Sequence, residues 1–372
     1  MCFEKDIMKE LIREAIDSFN EDVIKGKKIT LGFDGCADVI CKVIRNNNNG
    51  STKHIETMTE FSQYIEKMSG LSCSIELDRE IRKAGGNSAL FANAISECGV
   101  KTTIVGMYGR NQIADVFSEL AEKCKIYSYN ENQLAFSLEF ADGKIMIAPK
   151  VIIEGDIWQK VVDAVGPDDL EQVFAEPDML ALVNWGELDF STPLWKSTYD
   201  YLAQKRDMDK EIIVDLADCL RRSAEDIGEL IKLLEAFATT RTLTLSVNES
   251  EAMELGKYLG LDVSDDYGSL CASLASSIKV QRIVLHAARR CYTSECGVIS
   301  ELPTQFNEAP KLLTGGGDNF NAGYTIGRLL GLRGELCNVY GNSMSSYYIM
   351  HGKSSDLNGL KDHMEKWYLE LQ

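Results

Sequence analysis

The first twenty residues carry apolar side chains four positions apart. In MCFEKDIMKELIREAIDSF these are Phe3, Ile7, Leu11, Ala15 and Phe19, with acids and bases between them. Such spacing places side chains on one face of an α-helix, so the segment is predicted to be an amphipathic helix. Its charges argue against a signal peptide, and no apolar run in the chain approaches membrane-spanning length. We therefore expect a cytoplasmic protein.

Farther along the chain, short apolar runs alternate with segments of helical spacing. The apolar runs are KTTIVGMYG, MLALVNW, EIIVDLAD, LTLSVNE and KVQRIVLHA. The segments of helical spacing lie at 87–99, 113–124, near 191–206, near 223–238, at about 319–330 and around 342–351. Strands alternating with helices are typical of a parallel sheet covered on both faces. The pattern predicts an α/β protein with a doubly wound, mainly parallel sheet.

A second pattern interrupts this series. QLAFSLEFADGKIMIAP consists of two alternating runs joined by Ala141-Asp142-Gly143, which predicts a β-hairpin. SCSIELDREIRKAGG alternates apolar and polar residues and predicts a strand with one solvated face. KKITLGFDGCADVICKVIR predicts a further β-rich stretch, which ends in a loop at 46–50. These pieces predict a second, smaller sheet built from inserted segments.

Composition and charge narrow the functional classes. The 372 residues are 45% hydrophobic and 26% charged, as in ordinary globular proteins, and the formal net charge is −18. Such a charge repels nucleic acids and anionic membrane surfaces, so neither is an expected partner. Backbone amides and a metal ion would still allow a phosphorylated ligand to bind. The eleven cysteines are scattered along the chain and indicate reduced thiols.

The segment TGGGDNFNAG, at 314–323, is the strongest candidate for chemistry. An extended segment is expected to end at Leu313, and a helix follows, so the glycines lie at a strand-to-helix junction. Glycines permit close approach of a ligand, and the unpaired amides of a helix start favour an anion. Asp318 has two interpretations: an N-cap, or a general base beside a bound phosphate. The glycine run by itself does not decide between them.

Together with motifs upstream, this segment resembles the ribokinase-like, or PfkB, carbohydrate kinases. LLTGGGDNFNAG is similar to their signature D-T-T-G-A-G-D-x-F-x-x-G, and GGNSALFANAISECG, from Gly85 to Gly99, is similar to their N-terminal G-G signature. VGMYGRNQIADVFSEL, NESE at 248–251 and IVLHAARRCYT resemble further family motifs in the expected order. The resemblance covers about residues 29–355.

The resemblance implies a ribokinase-like fold and a magnesium-dependent kinase that phosphorylates a hydroxyl of a sugar or sugar-like alcohol with ATP. Residues 1–28 would be a helical extension, and 29–372 the kinase domain. A small β lid near 38–45, 72–84 and 134–149 would cover the sugar. A monovalent cation and a homodimer formed through lid strands are also expected from the family. A nucleoside kinase and a catalytically silent sugar- or nucleotide-binding protein are the alternatives.

The resemblance also assigns roles to individual residues. Asp318 would be the general base, with Gly315, Gly316 and Gly317 forming the anion hole. The remaining assignments fall into an acceptor group and a nucleotide group. The acceptor group is Asp38, Gly85, Gly86 and Asn87, with Asp34 competing with Asp38. The nucleotide group is Asn248, Glu251, His286 and Asn342, and Glu251 would contribute indirectly to a magnesium site.

Several positions depart from the family pattern. Leu90 and Leu312 replace an asparagine and an aspartate of the two signatures, and His286 and Ala288 replace a threonine and a glycine of the nucleotide turn. These changes concern the acceptor and nucleotide contacts and leave the base and the glycine run intact. His286 has an alternative interpretation as a structural histidine, and Asn342 as a helix cap.

Overall fold

A large, mainly parallel sheet forms the centre of the protein. The computed structural model describes residues 2–48, 51–264, 266–308 and 310–371. The strands of this sheet are, in spatial order, β14 (Val298–Pro303), β13 (Arg290–Glu295), β12 (Arg282–His286), β11 (Thr242–Asn248), β10 (Glu211–Asp215), β9 (Met179–Leu182), β1 (Lys28–Gly32), β5 (Lys101–Gly106) and β6 (Lys125–Ser128). Pairing is parallel from β12 to β6, and only β13 and β14 add antiparallel edge strands.

Helices cover both faces of this sheet, and one further helix packs against a second, smaller sheet. They are α1 (Cys2–Asp17), α2 (Glu21–Gly26), α3 (Met58–Lys67), α4 (Asn87–Glu97), α5 (Ser118–Lys123), α6 (Ile157–Val165), α7 (Ser191–Leu202), α8 (Ala224–Phe237), α9 (Glu249–Leu259), α10 (Tyr267–Ser277), α11 (Gly316–Leu329), α12 (Gly334–His351) and α13 (Leu357–Glu370). Among the described residues, no helix is long and apolar enough to cross a membrane.

Strand β9 shows why the central strands have continuous apolar sequences. Met179 and Ala181 pack into the core beneath α1, α4, α11, α12 and α13, whereas Leu180 and Leu182 pack into the core beneath α6 to α10. A strand buried on both faces needs apolar side chains at every position. Each large side chain buried in this way stabilises the fold by about 1.5–3 kcal/mol. The predicted doubly wound α/β fold is therefore confirmed.

A smaller sheet stands apart from the large one and forms the predicted lid-like sheet. Its strands are β2 (Cys36–Asn48), β3 (Ser51–His54), β4 (Leu77–Gly85), β7 (Gln133–Phe140) and β8 (Gly143–Ile147). Strand β2 pairs with β3, β4 and β7, and the predicted β7–β8 hairpin is present. Val39, Cys41 and Val43 pack with Phe61 of α3 in a separate hydrophobic cluster. We call this unit the lid sheet.

Three local expectations are wrong. The loop predicted at 46–50 is strand as far as Asn48, because the asparagines pair through their backbones with β3; residues 49 and 50 lie outside the described residues. The extended segment predicted to end at Leu313 ends as a strand at Pro303, and the described residues after it are irregular up to the glycine run. The helix predicted at 113–124 is reduced to a single 3₁₀ turn and α5.

The N-terminal helix is packed into the main body. Ile12 and Ala15 of α1 are fully buried in the core shared with α12 and α13. The Tyr340 hydroxyl of α12 donates to the Ala15 carbonyl at 3.0 Å, and Glu14 is paired with Arg333. Helix α1 therefore contributes to the core of one face, while the assignment of 1–28 as an extension stays a prediction.

Candidate active site

The glycine run before α11 forms the tight turn that starts this helix. Gly315 is its N-cap and has a φ of +96°, a left-handed conformation that favours glycine. A Cβ atom at Gly315 would lie 2.7 Å from the Tyr348 hydroxyl, so packing also requires glycine. The Gly316 amide donates to the Leu313 carbonyl at 3.0 Å. The Gly317 amide belongs to the first turn of α11, where amides have no partner within the helix.

Asp318 lies inside the first turn of α11 and not at its N-cap. The capping interpretation is therefore wrong, because Gly315 ends the non-helical backbone three residues earlier. The Asp318 side chain is buried, and the Asn87 side chain, which lines the same pocket, favours the ionised form of Asp318 by lowering its pKa against the larger effect of burial. Burial raises the pKa of Asp318 well above its usual range, and the charges of Asp215 and Asp34 raise it further. A carboxylate in such surroundings is a stronger base once it is ionised.

Asp318 faces a pocket of about 390 Å³ at the carboxyl ends of β10, β11 and β12. Ligands of open α/β sheets bind at this edge. The predicted site residues that line the pocket are Asn87, Asn248, Glu251, His286, Gly317 and Asp318. Residues from both family-like signatures and from the NESE segment, distant in sequence, therefore lie around one cavity.

A second pocket, of about 240 Å³, adjoins the first. Among its lining residues are His286, Ala288, Gly316, Gly317 and Asn342. His286 and Gly317 line both pockets, so the two cavities meet at these residues. A ligand with two parts would extend from one cavity into the other past the start of α11.

For two residues of the second pocket, the sequence allowed a purely structural role as an alternative to nucleotide binding. Asn342 lies in the middle of α12 and donates to the Cys291 Sγ at 3.1 Å, so the helix-cap interpretation is wrong. The helix begins at Gly334, earlier than the sequence pattern indicated, because it buries small and polar residues that show little periodicity. The His286 ring stacks on Phe320 at a centroid distance of 4.9 Å, and burial lowers its pKa to about 4. His286 is therefore a neutral aromatic wall of both pockets.

Asn248 and Glu251 form a reciprocal cap at the start of α9. The Glu251 amide donates to Asn248 Oδ1 at 3.0 Å, and the Asn248 amide donates to Glu251 Oε2 at 3.0 Å. This capping box holds both side chains at the pocket wall. Burial, followed by the charge of Asp215, raises the pKa of Glu251 well above its usual range. The cap thus places a carboxyl group that favours its protonated form at the pocket wall.

The carboxylates of the pocket suit a magnesium ion that arrives with a phosphate ligand. Mg²⁺ is usually held by one or two carboxylates together with substrate phosphates, and it keeps several waters. Among the described residues, no group of three or more His, Cys, Asp or Glu side chains could hold a metal by itself. Asp215, Asp218 and Glu251 nevertheless line the same pocket. This donor set fits Mg²⁺ shared with phosphate oxygens and does not fit an all-protein metal cage.

Sequence reasoning missed Asp215, the last residue of β10. Its carboxylate accepts from the Ala217 amide at 2.9 Å and from the Asn321 side chain of α11. Burial is the main cause that raises the pKa of Asp215, to about 6, and the charge of Asp34 adds to it. The signal was present, since Asp215 ends the apolar run EIIVD at the edge of the sheet where ligands bind.

The two candidate acceptor aspartates have different surroundings. Asp34 is fully buried and accepts from the amides of Asn87 and Ser88, at 2.8 and 2.9 Å, and from the Asn184 side chain. These bonds satisfy the start of α4, which is a structural role. Asp38, on lid strand β2, is only half-buried and pairs across the sheet with Lys83. Burial is the main cause that raises the Asp38 pKa.

The paired glycines allow both aspartates to approach closely. A Cβ atom at Gly85 would lie 2.4 Å from Asp38 Oδ2, and one at Gly86 would lie 2.7 Å from Asp34 Oδ2. Asp38, Gly85 and Gly86 do not line the pocket around Asp318; they stand on the lid side of Asn87. Leu90 and Leu312, which replace polar residues of the family signatures, are not among the described residues that line either pocket.

Comparison with known proteins agrees with this geometry. A model of the prokaryotic ketohexokinase family matches residues 5–367. The chain belongs to the prokaryotic ketohexokinase family. The predicted resemblance to ribokinase-like kinases is thereby confirmed, as is the prediction of a sugar kinase, a phosphotransferase with an alcohol group as acceptor.

Individual relatives of this family member are distant in sequence. A ketohexokinase of Haloferax volcanii is 20% identical over 357 residues, which cover 93% of this chain and 94% of the relative. Phosphofructokinase-2 of Escherichia coli, solved with substrates and products, covers 93% of this chain and 99% of its own, with a TM-score of 0.63 and 13% identity. A proposed ribokinase II of E. coli, solved with ATP and Mg²⁺, covers 91% of this chain and 99% of its own, with a TM-score of 0.62 and 13% identity. These structures share the fold.

Proposed function

We propose that this family member transfers the γ-phosphoryl group of ATP to a hydroxyl group of a ketohexose or a closely related sugar. The observation that carries the proposal is the position of Asp318. Its buried carboxyl stands in the first turn of α11, at the wall of one pocket and beside the residues that join it to the second. A base that stands between the proposed phosphate site near Gly317 and Asn87, a residue of the acceptor group, is the arrangement that direct phosphoryl transfer requires.

In the proposed reaction, Asp318 accepts the proton of the attacking sugar hydroxyl. The sugar oxygen forms a bond to the γ-phosphorus while the bond from that phosphorus to the β–γ bridging oxygen breaks, so ADP leaves with its electron pair. Asn87, which lines the same pocket and favours the ionised form of Asp318, orients the carboxylate. The Gly317 amide and the positive end of α11 stabilise the charge on the transferring group.

The proposed donor and acceptor subsites follow from the same geometry. The adenine of ATP is assigned to the pocket of His286, Ala288 and Asn342, and its phosphates to the junction near Gly317. Asp38, Gly85, Gly86 and Asn87 are assigned to the sugar, with Asp38 preferred because the carboxylate of Asp34 is already occupied by its three donors.

Mg²⁺ is assigned to the carboxylates of the larger pocket, among them Glu251, together with the phosphates of ATP. When bound, it supplies neutralisation of phosphate charge. The monovalent cation stays a prediction, for which we identify no site.

A homodimer through the lid sheet and a cytoplasmic location complete the proposal. Ile81, Met146 and Ile147 of the lid sheet are 56%, 45% and 51% exposed, which supports a protein contact there. Analytical ultracentrifugation of the protein and of Ile147→Glu tests the dimer, which this change is expected to weaken. Unchanged sedimentation, or a monomeric starting protein, would contradict it.

Asp318→Asn tests the proposed function. The variant should fold and bind ligand, while phosphoryl transfer falls by about two to four orders of magnitude, the usual scale for loss of a general base. ADP release is measured with a panel of ketohexoses, aldoses and nucleosides. Asp362→Asn, a carboxylate on the exposed face of α13, is the matched control and should retain full turnover.

Each other outcome has a distinct meaning. Near-normal turnover of Asp318→Asn would refute the base. Turnover only with nucleosides would favour a nucleoside kinase. No turnover with any acceptor, despite a sugar-dependent rise in the melting temperature, would favour a catalytically silent binding protein.

A further inference from the structure

One lysine of the lid sheet reaches the glycine run. Lys144 follows the turn of the β7–β8 hairpin, and its Nζ donates to Thr314 Oγ1 at 2.5 Å. Thr314 immediately precedes Gly315, the N-cap of α11. This hydrogen bond joins the lid sheet directly to the segment that is proposed to receive the transferring phosphoryl group.

Lys144 lies between the acceptor side and the donor side of the site. Its charge acts on Asp38, where it lowers the pKa and so opposes the larger effect of burial. At the same time its ammonium group touches the residue before the helix start. A group within electrostatic reach of both a lid carboxylate and the start of α11 is close to the path between acceptor and donor.

The pocket around Asp318 lacks a cation of its own. Its described lining includes the carboxylates Asp215, Asp218, Glu251 and Asp318, and neither a lysine nor an arginine. A nucleoside triphosphate brings several more negative charges into these surroundings. Apart from Mg²⁺ and backbone amides, the positive charge that neutralises these phosphates must therefore come from a side chain that does not line this pocket.

The hairpin tip that carries Lys144 is held in position by hydrogen bonds to the segment that leads into α3. The Asp142 carboxylate accepts from the Met58 amide at the start of α3 at 2.8 Å, and the Ala141 amide donates to the Glu56 carbonyl at 2.8 Å. The tip is thus fixed to α3, and a Lys144 ammonium group on it reaches the glycine run without rearrangement of the turn.

We infer that Lys144 is a phosphoryl-binding residue that the lid sheet supplies: it holds Thr314 and donates to an oxygen of the γ-phosphoryl group of ATP. An ammonium group has three donors, of which Thr314 takes one, so both contacts are compatible. The inference rests on the proposed function. It makes closure of the lid sheet and stabilisation of the transferring group a single event.

Lys144→Met tests the charge, because methionine keeps most of the side-chain length. Binding of a non-hydrolysable ATP analogue with Mg²⁺ and binding of ADP with Mg²⁺ are measured by calorimetry, and turnover by ADP release. A lost charge-assisted hydrogen bond should weaken the triphosphate analogue by about tenfold or more and lower kcat, with little change for ADP. Lys144→Arg should recover most of both losses.

Two further variants separate phosphoryl binding from simple attachment of the lid sheet. Thr314→Val removes the hydroxyl and should leave the preference for triphosphate over diphosphate unchanged, even if both bind less well. Lys53→Met, on strand β3 at the opposite edge of the lid sheet, is the matched control and should behave as the unmodified protein.

The inference is overturned if Lys144→Met binds both nucleotides as the unmodified protein does, or loses affinity for both equally. It is also overturned if Thr314→Val abolishes the triphosphate preference as Lys144→Met does, since attachment and not charge would then matter. If the unmodified protein neither binds the ATP analogue nor turns over any acceptor, the proposed function itself fails, and the role of Lys144 fails with it.

Discussion

Asp215 gives a stability prediction that can be worked out from the structure. Its carboxylate is 7% exposed and stands close to the ionisable groups of Asp318, Glu251 and Asp34. Asp215→Asn removes the charge and keeps the shape. The Ala217 backbone amide keeps its acceptor. The new side-chain NH₂ group at position 215 can donate to Asn321 if the Asn321 side-chain amide rotates by about 180°, and the Ser246 hydroxyl, which can donate or accept, then accepts from Asn321.

The magnitude follows from the pKa of Asp215, which rises from 3.8 to about 6 in the folded protein, with burial as the first cause. Because the folded pKa is higher than the unfolded one, the folded state binds more protons and stability falls as pH rises through this range. The ionised carboxylate therefore costs about 3 kcal/mol at pH 7 and above, and roughly half of that at pH 5. Asp215→Asn should recover these amounts.

Thermal unfolding of the protein and of Asp215→Asn without ligands, at several pH values from 5 to 8, measures the effect. The variant should melt about 5 °C higher at pH 7.5, with a smaller difference at pH 5. Asp218→Asn, at a residue of the same pocket with no such buried hydrogen bonds, is a control for lost charge alone. A variant that is less stable than the unmodified protein at pH 7.5, or a stability difference that does not change with pH, would show that the ionised Asp215 carboxylate does not destabilise the fold.

Two further predictions concern the framework that supports Asp318. Gly315→Ala should destabilise the protein by about 1–3 kcal/mol, because alanine is strained at φ +96° and its Cβ meets the Tyr348 hydroxyl; chemical unfolding measures this, and an unchanged midpoint would contradict it. Arg328→Met should cost about 3 kcal/mol, since it removes one of the two nearly buried arginines, with Arg282, that pair with the partly buried Glu211. Denaturant unfolding without loss of stability would show that Arg282 alone suffices.

The sequence predicted the parts of the fold that side-chain patterns encode directly. Buried strands such as β9 and β10 appear as apolar runs, and the β7–β8 hairpin appears as two alternating runs around a turn. Patterns were less informative at Asn46 to Asn48, where a run of asparagines, typical of a loop, pairs through its backbone with β3. They also failed in α12, whose buried small and polar residues lack helical periodicity.

For the site, residue types and the order of the motifs are encoded in local stretches of the chain. The glycine run and Asp318 could be named because local rules of turns and helix starts leave a signature within a few positions, whereas Asn248 and Glu251 came from the resemblance to a family motif. Their family-like order supplied the class of reaction, and the match to the prokaryotic ketohexokinase family confirmed the class.

Which side chains meet depends on the three-dimensional packing. It separated Asp34, which accepts three hydrogen bonds at the start of α4, from Asp38 on the lid sheet. It also brought Asp215 to the pocket wall and Lys144 to Thr314, contacts between residues far apart in the chain. The physical reason is that burial, pKa and hydrogen-bond partners depend on neighbours assembled from several strands and helices, and no local pattern of one chain segment records them.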